Sequence, residues 1–214
     1  MSRQEMDKIR ENTIANGIAY AEINEFFEKE LQDSGYSSMK YLSHETPAKI
    51  IIKVAKTDDL INENRFRLRQ ITSLIEKRLK RDVVILVEMV RDRGLCPNIQ
   101  AEIIRKKMSE GLTYRRAVNS ALGSIKDAGA QGCIITISGK LKGQRARSQK
   151  MIWQTNIYSG APKDEYVREG KATLLLKQGI IGIIVKIMLP HDPEGIRGPS
   201  KELPDKIRVL DIKE

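Results

Sequence analysis

The sequence is poor in aromatic residues, cysteine and histidine, and one long stretch has no acidic residue. Phe, Trp and Tyr make up 5% of the 214 residues. That is too few for base stacking on aromatic platforms to be the main mode of nucleic-acid binding. The only cysteines, Cys96 and Cys133, are far apart and make neither a metal-ligand spacing nor a disulfide framework, which fits a reducing cytosol. The two histidines, His44 and His191, are widely separated and read as surface or loop residues rather than catalytic bases. No apolar run approaches the roughly 20 residues that span a bilayer. The longest, Ile180 to Leu189, is strand-length and contains Lys186. The N-terminus carries no signal-peptide pattern. No Walker-type glycine-rich loop and no G-x-G-x-x-G is present. The expectation is therefore no membrane partner, no catalytic residue, no cofactor and no metal. A lysine-based lyase would need one desolvated lysine beside a positioned carboxylate, and nothing selects one lysine among so many.

What is abundant is positive charge. Lys and Arg total 38 against 28 Asp and Glu, a net charge of +10 and a pI near 9.6. Such a balance points to nucleic acid or an anionic surface. The charge is also concentrated. Between Asp127 and Asp164 there is no carboxylate, while Lys140, Lys142, Arg145, Arg147, Lys150 and Lys163 fall within that stretch. Cations without local acids call for an external anion, and phosphate is the commonest. An apolar strand is predicted on each side of Ser138 to Lys150, so these cations are expected together at one strand end. The alternative is a solvated loop whose lysines serve solubility. Arg115 and Arg116 stand out for another reason. They fall in the first turn of a predicted helix, where each cation opposes the macrodipole at a cost of a few tenths to about 1 kcal/mol. An anionic partner is the natural compensation, and guanidinium forks bind phosphate bidentately.

The pattern predicts an α+β protein of two parts. Residues 1–92 read as helix, strand, strand, helix, strand. Ile23, Phe26, Phe27 and Leu31 repeat at helical spacing before Gly35. Short strands are expected at Met39 to Ser43, Lys49 to Ala55 and Val83 to Val90, with a helix from Arg65 to Lys80. Gly94 and Pro97 punctuate a linker over 93–97. Residues 98–189 read as two helices followed by four strands, Gln131 to Ser138, Met151 to Tyr158, Glu169 to Lys177 and Ile180 to Leu189. Thr113 can cap the second helix, whose stripe is Val118, Ala121, Leu122 and Ile125. Alternation in Met151 to Ile157 indicates a half-covered, mainly antiparallel sheet. Residues 190–214, rich in Pro, Gly and Lys, are expected to be an irregular tail.

Two long segments carry a resemblance. Gly129-Ala-Gln-Gly-Cys-Ile-Ile-Thr-Ile-Ser-Gly-Lys-Leu-Lys-Gly-Gln-Arg-Ala-Arg-Ser148 and Gln178-Gly-Ile-Ile-Gly-Ile-Ile-Val-Lys-Ile-Met-Leu-Pro190 closely resemble segments of the small-subunit ribosomal proteins of the S-three family (universal type). Arg93-Gly-Leu-Cys96 and the Arg115-Arg116 pair match as well, and Met188-Leu-Pro-His-Asp-Pro193 has the look of the archaeal and eukaryotic branch. The resemblance runs from about Asn16 to Asp211. It implies an N-terminal type II KH domain followed by an α+β domain with two helices on a four-stranded sheet, in the head of the small ribosomal subunit. It implies small-subunit rRNA, neighbouring ribosomal proteins and mRNA as partners, the last at the channel through which message enters. Basic residues of the second domain, with Arg115 and Arg116 at matching positions, are implicated there in unwinding structured mRNA. The implied location is the cytoplasmic ribosome, with a nucleolar assembly phase if the source is eukaryotic.

The chain departs from the family at two places. Asn119 stands where bacterial members carry a further Lys. Asn62-Glu63-Asn64-Arg65 stands where the family has the G-x-x-G loop of the KH domain, with both glycines lost. Glycines there let backbone approach nucleic acid, so this degenerate loop is expected to grip RNA poorly. Arg67, Arg69 and, in the second domain, Lys106 remain possible phosphate contacts. With Glu214 as the last residue of the sequence, a long eukaryote-type tail is not expected. A stand-alone KH-type RNA-binding regulator and, further off, a lysine-dependent DNA lyase are the alternative functions.

Overall fold

The computed structural model describes residues 3–141 and 143–203, together with 207 and 209. The side chains of Asn62, Glu63 and Asn64, and the whole of Lys142, lie outside the described residues. The chain divides into two compact units between Arg91 and Asp92.

The first unit runs α1 (Arg3–Glu30), β1 (Tyr36–Leu42), β2 (Ala48–Val54), α2 (Asp58–Leu79) and β3 (Val83–Met89). The sheet order is β1-β2-β3, with β1 antiparallel and β3 parallel to the central strand. This is the arrangement of a KH-like domain. Alternation on β2 decides the packing: Ala48, Ile50, Ile52 and Val54 are all buried. They meet Ile23 and Phe27 of α1, Leu31 just after it, and Leu60, Ile71 and Ile75 of α2. Removing these side chains from water is the main stabilising term, at about 1.5–3 kcal/mol for each large one. Helix α2 starts seven residues before the expected Arg65. Asp58 and Asp59 suit the positive end of its dipole, and Leu60 is fully buried. The expected loop at 62–65 therefore lies inside the helical span. A trace of it survives, because Arg65 has φ 60°, the left-handed region that a glycine would occupy without strain.

In the second unit, a 3-10 turn (Arg93–Leu95) leads into α3 (Pro97–Ser109), α4 (Tyr114–Asp127), β4 (Gly132–Gly139), β5 (Arg147–Gln154), α5 (Ala161–Tyr166), β6 (Val167–Leu176) and β7 (Gly179–Met188). The expected linker at 93–97 is thus a packed turn, with Gly94 and Leu95 buried. The sheet order is β5-β4-β7-β6, antiparallel throughout. Ile135, Ile137, Ile183, Val185 and Ile187 form its covered face under Ile104 of α3 and Ala117, Val118, Ala121 and Ile125 of α4. Helix α3 lies so close to β6 that a Cβ on Gly170 would come within 2.4 Å of the Pro97 carbonyl carbon. Thr113 occupies the N-cap position of α4, yet its side chain makes no capping hydrogen bond. Helix α5 had no periodic signal in its six residues.

The second strand of the expected four differs most. Alternation predicts it at Met151 to Tyr158, but β5 begins at Arg147 and ends at Gln154. Backbone pairing with β4, from Gly139 opposite Arg147 to Gly132 opposite Gln154, extends the strand through residues that alternation does not mark. Gln154 then turns the chain away at φ 50°. Residues 190–203 contain no helix or strand but are tied down. The Tyr166 hydroxyl donates to the Lys201 carbonyl at 2.6 Å. The Asp192 carboxylate accepts backbone N–H groups of Glu194, Ile196 and Arg197 at 3.0, 3.1 and 2.9 Å.

Candidate nucleic-acid interface

Two pieces of the second unit converge on one cleft. The first turn of α4 supplies Tyr114 and Arg115. The Tyr114 ring is buried because it heads the apolar stripe of the helix, and its hydroxyl accepts a hydrogen bond from Arg115 Nε at 3.2 Å. The β4–β5 hairpin supplies Gln144, Arg145, Arg147 and Gln149, which with Tyr114 and Arg115 line a cleft of about 430 Å³. Strand register explains which hairpin residues face it. Gln149 pairs with Ile137, and Arg147 with Gly139. Residues directly opposite in an antiparallel pair share a face, so Arg147 and Gln149 lie on the face that the helices cover.

Among the described residues no carboxylate pairs with Arg115, Arg116, Lys140, Arg145, Arg147 or Lys150, although many other cations of the chain are paired. Lys186 holds Glu169 at 2.9 Å, and Arg78 grips Glu22 with two contacts of 3.0 and 2.9 Å. Lys186, with Lys171 beside it, holds the Glu169 carboxyl below its ordinary range. The cleft cations have no such neutralisation, and α4 has no acid in its first turn. Three guanidinium groups around one cleft, one at a helix N-terminus, make an electropositive site whose chemistry suits an anion.

The remaining expected site residues are dispersed. Arg116 is exposed on α4 outside the cleft lining. Lys140 is exposed where the hairpin loop begins, and Lys142 lies outside the described residues. Lys150 corrects the expectation of one cluster at a strand end. It pairs with Thr136, on the other face of the sheet from Arg147, and its Nζ stands 5.5 Å from the centre of the Tyr158 ring. In the first unit Arg67 is engaged within the protein. It donates to the Glu30 carbonyl at 2.9 Å, and its guanidinium is 3.6 Å from the Glu30 carboxylate. Arg65 and Arg69 are exposed on α2, and Lys106 is exposed in the last turn of α3. Cys133 is buried, and burial pushes its thiol up to about 11, so it is held as a neutral group with no nucleophilic character at neutral pH.

Sequence reasoning missed Tyr114, Gln144 and Gln149. Tyr114 could have been found as the residue three before Ala117 and four before Val118 on the α4 stripe. The two glutamines carried no signal, because the hairpin register alone sets their face.

A KH-like unit followed by an α+β unit with an unneutralised arginine cleft defines a class of two-part basic protein, and comparison with known proteins narrows it. Residues 104–187 match the family model described as ribosomal protein S3, C-terminal domain. Over 211 residues, 97% of this chain and 98% of the relative, the sequence is 50% identical to small ribosomal subunit protein uS3 of Encephalitozoon cuniculi (strain GB-M1). The chain belongs to this family of small-subunit ribosomal proteins.

Proposed function

We propose that the protein is a structural, non-catalytic constituent of the small-subunit head that binds rRNA and neighbouring ribosomal proteins and lines the channel through which mRNA enters. Its place is the ribosome in the cytoplasm. In this reading Arg115 and Arg116 face the message and take part in unwinding structured mRNA. Arg145 and Arg147 contact phosphates at the cleft without reading bases, and Lys140, Lys142 and Lys150 add separate phosphate contacts of the same kind. One observation carries the reading: Arg115 from α4 and Arg145 and Arg147 from the hairpin line a single cleft from which acids are absent. The first unit, residues 1–92, serves as a KH domain kept for packing. Its Asn62-Glu63-Asn64-Arg65 segment no longer clamps RNA, because the sequence has lost both glycines of the clamp and gained an acidic residue.

The test is translation by ribosomes carrying Arg115→Ala together with Arg116→Ala. Both residues are exposed, off the Val118, Ala121 and Ile125 face, so folding and incorporation are expected to be normal. Translation through a stable hairpin should slow more than translation of an unstructured message. Equal slowing on both templates would assign the arginines to assembly instead.

A further inference from the structure

The β4–β5 hairpin also presents a hydroxyl, on the sheet face turned away from the helices. Ser148 ends the run Arg145-Ala-Arg-Ser148, with one arginine three residues before it and another directly before it. Strand β5 lies at the edge of its sheet, and among the described residues it pairs with β4 alone. Residues 147–150 are extended, and all four side chains are exposed. A protein kinase holds its substrate as an extended segment and selects it by charge pattern. The free edge of β5 offers that form without unfolding. Ser109 shows the contrast. Lys106 and Lys107 precede it, but it closes α3, and the last turn would have to unwind before those residues could lie extended in a substrate groove.

The groups that would receive a phosphate are in place as well. Ser148 pairs with Ser138 of β4, and the two hydroxyls lie 2.9 Å apart. Lys150 is two residues further on, so it shares Ser148's face of the strand. A phosphate on Ser148 would therefore have the Ser138 hydroxyl as a donor and Lys150 as a counter-charge. The sequence holds no carboxylate between Asp127 and Asp164 to repel it.

We propose that Ser148 is a phosphorylation site for a serine kinase selective for basic residues ahead of its acceptor, and that the phosphate lowers the affinity of this hairpin for RNA. In the transfer, Ser148 Oγ attacks the γ-phosphorus of a nucleoside triphosphate. The bond from that phosphorus to the β,γ-bridging oxygen breaks, the hydroxyl proton passes to the kinase's base, and the nucleoside diphosphate leaves. The product carries a charge of about −1.5 to −2 at neutral pH. It engages Lys150 within the chain, offsets Arg145 and Arg147 nearby in sequence, and repels the RNA backbone. The effect on RNA rests on the RNA-binding reading above, whereas the modification itself does not.

The experiment incubates the full chain with magnesium ATP and the catalytic subunit of cAMP-dependent protein kinase, a kinase of this selectivity, and maps phosphate by mass spectrometry. A peptide of residues 141–153 is the unfolded standard, and Ser148→Ala is the site control. Ser148 of the folded chain should take phosphate at a rate comparable to the peptide and faster than Ser109. Phosphate on the peptide but not on the folded chain would overturn the presentation of Ser148 on the strand edge. Phosphate on neither would overturn recognition of the Arg-Ala-Arg-Ser run. Affinity for a labelled single-stranded RNA is then measured by fluorescence anisotropy at fixed salt. Loss of one charged hydrogen bond corresponds to about tenfold in affinity. The phosphorylated chain should bind about tenfold more weakly than the unmodified one, and Ser148→Ala treated alike should show no such change. If Ser148 is phosphorylated and affinity is unchanged, while Arg145→Ala with Arg147→Ala weakens it, the regulatory effect is overturned. If that double variant also leaves affinity unchanged, the RNA-binding reading itself fails, and the regulatory effect with it.

Discussion

Replacing Arg145 and Arg147 by Ala removes two of the three guanidinium groups at the cleft and leaves the β4–β5 pairing in place, because Arg147 pairs through its backbone. Each phosphate contact on a single strand contributes about 0.7 to the slope of log affinity against log salt. Two lost contacts should flatten that slope by about 1.4. Between about 0.05 and 0.15 M salt, roughly half a log unit, the wild-type protein should therefore lose about fivefold more affinity than the double variant. The effect should not depend on RNA sequence. Net charge alone could mimic it, so the control is Arg78→Ala with Lys186→Ala. That pair removes the same two charges, but Arg78 already holds Glu22 and Lys186 already holds Glu169. The control slope should match wild type. The assay is anisotropy titration of a labelled single-stranded RNA across a salt series. An unchanged slope in the Arg145/Arg147 variant, or equal flattening in the control, would refute the assignment of these arginines as phosphate contacts.

Three further outcomes are expected. Arg65→Gly should stabilise the protein by about 0.5–1 kcal/mol, since a left-handed conformation costs a non-glycine residue about 1–2 kcal/mol and glycine returns about half of that as unfolded-chain entropy; chemical denaturation reads the sign, and adding Asn62→Gly should raise affinity for single-stranded RNA if the backbone clamp is what the loop has lost. Gly170→Ala should destabilise by about 1–3 kcal/mol or more, because its Cβ would lie 2.4 Å from the Pro97 carbonyl carbon; an unchanged melting curve would contradict the packing of α3 on β6. The Asp192 carboxyl is held below its ordinary range by the backbone N–H groups of Arg197, Glu194 and Ile196. A depressed folded pKa gives stability that is present above the unfolded value and lost as pH falls through the folded one, so the 192–197 turn should open only in acid; faster exchange of the Arg197 amide below the ordinary carboxylate range would show this, and Asp192→Asn should weaken that pH dependence.

The fold was legible where burial imposes a period. Ile50, Ile52 and Val54 on β2, and Val118, Ala121 and Ile125 on α4, were visible because each faces one core. Elements held by backbone pairing or by a few local bonds were not. Arg147 to Lys150 belong to β5 through hydrogen bonds to β4, yet all four side chains are exposed and give no alternation. Helix α5 is six residues long, below the length at which periodicity is detectable. The candidate site divides the same way. Charge concentration pointed to Arg145 and Arg147, and the cost of a cation at a helix N-terminus pointed to Arg115. Their convergence on one cleft depends on strand register, which also sends Lys150 to the opposite face. Arg67 shows the converse limit, since its partner Glu30 is 37 residues away and only the packing of α1 against α2 joins them.

The most direct measurement is a structure of the assembled small subunit with a message bound. RNA phosphate should lie within hydrogen-bond reach of Arg115, Arg145 and Arg147, with single-stranded message passing Arg115 and Arg116. A cleft covered by another protein, or facing solvent on the side away from the message, would contradict it.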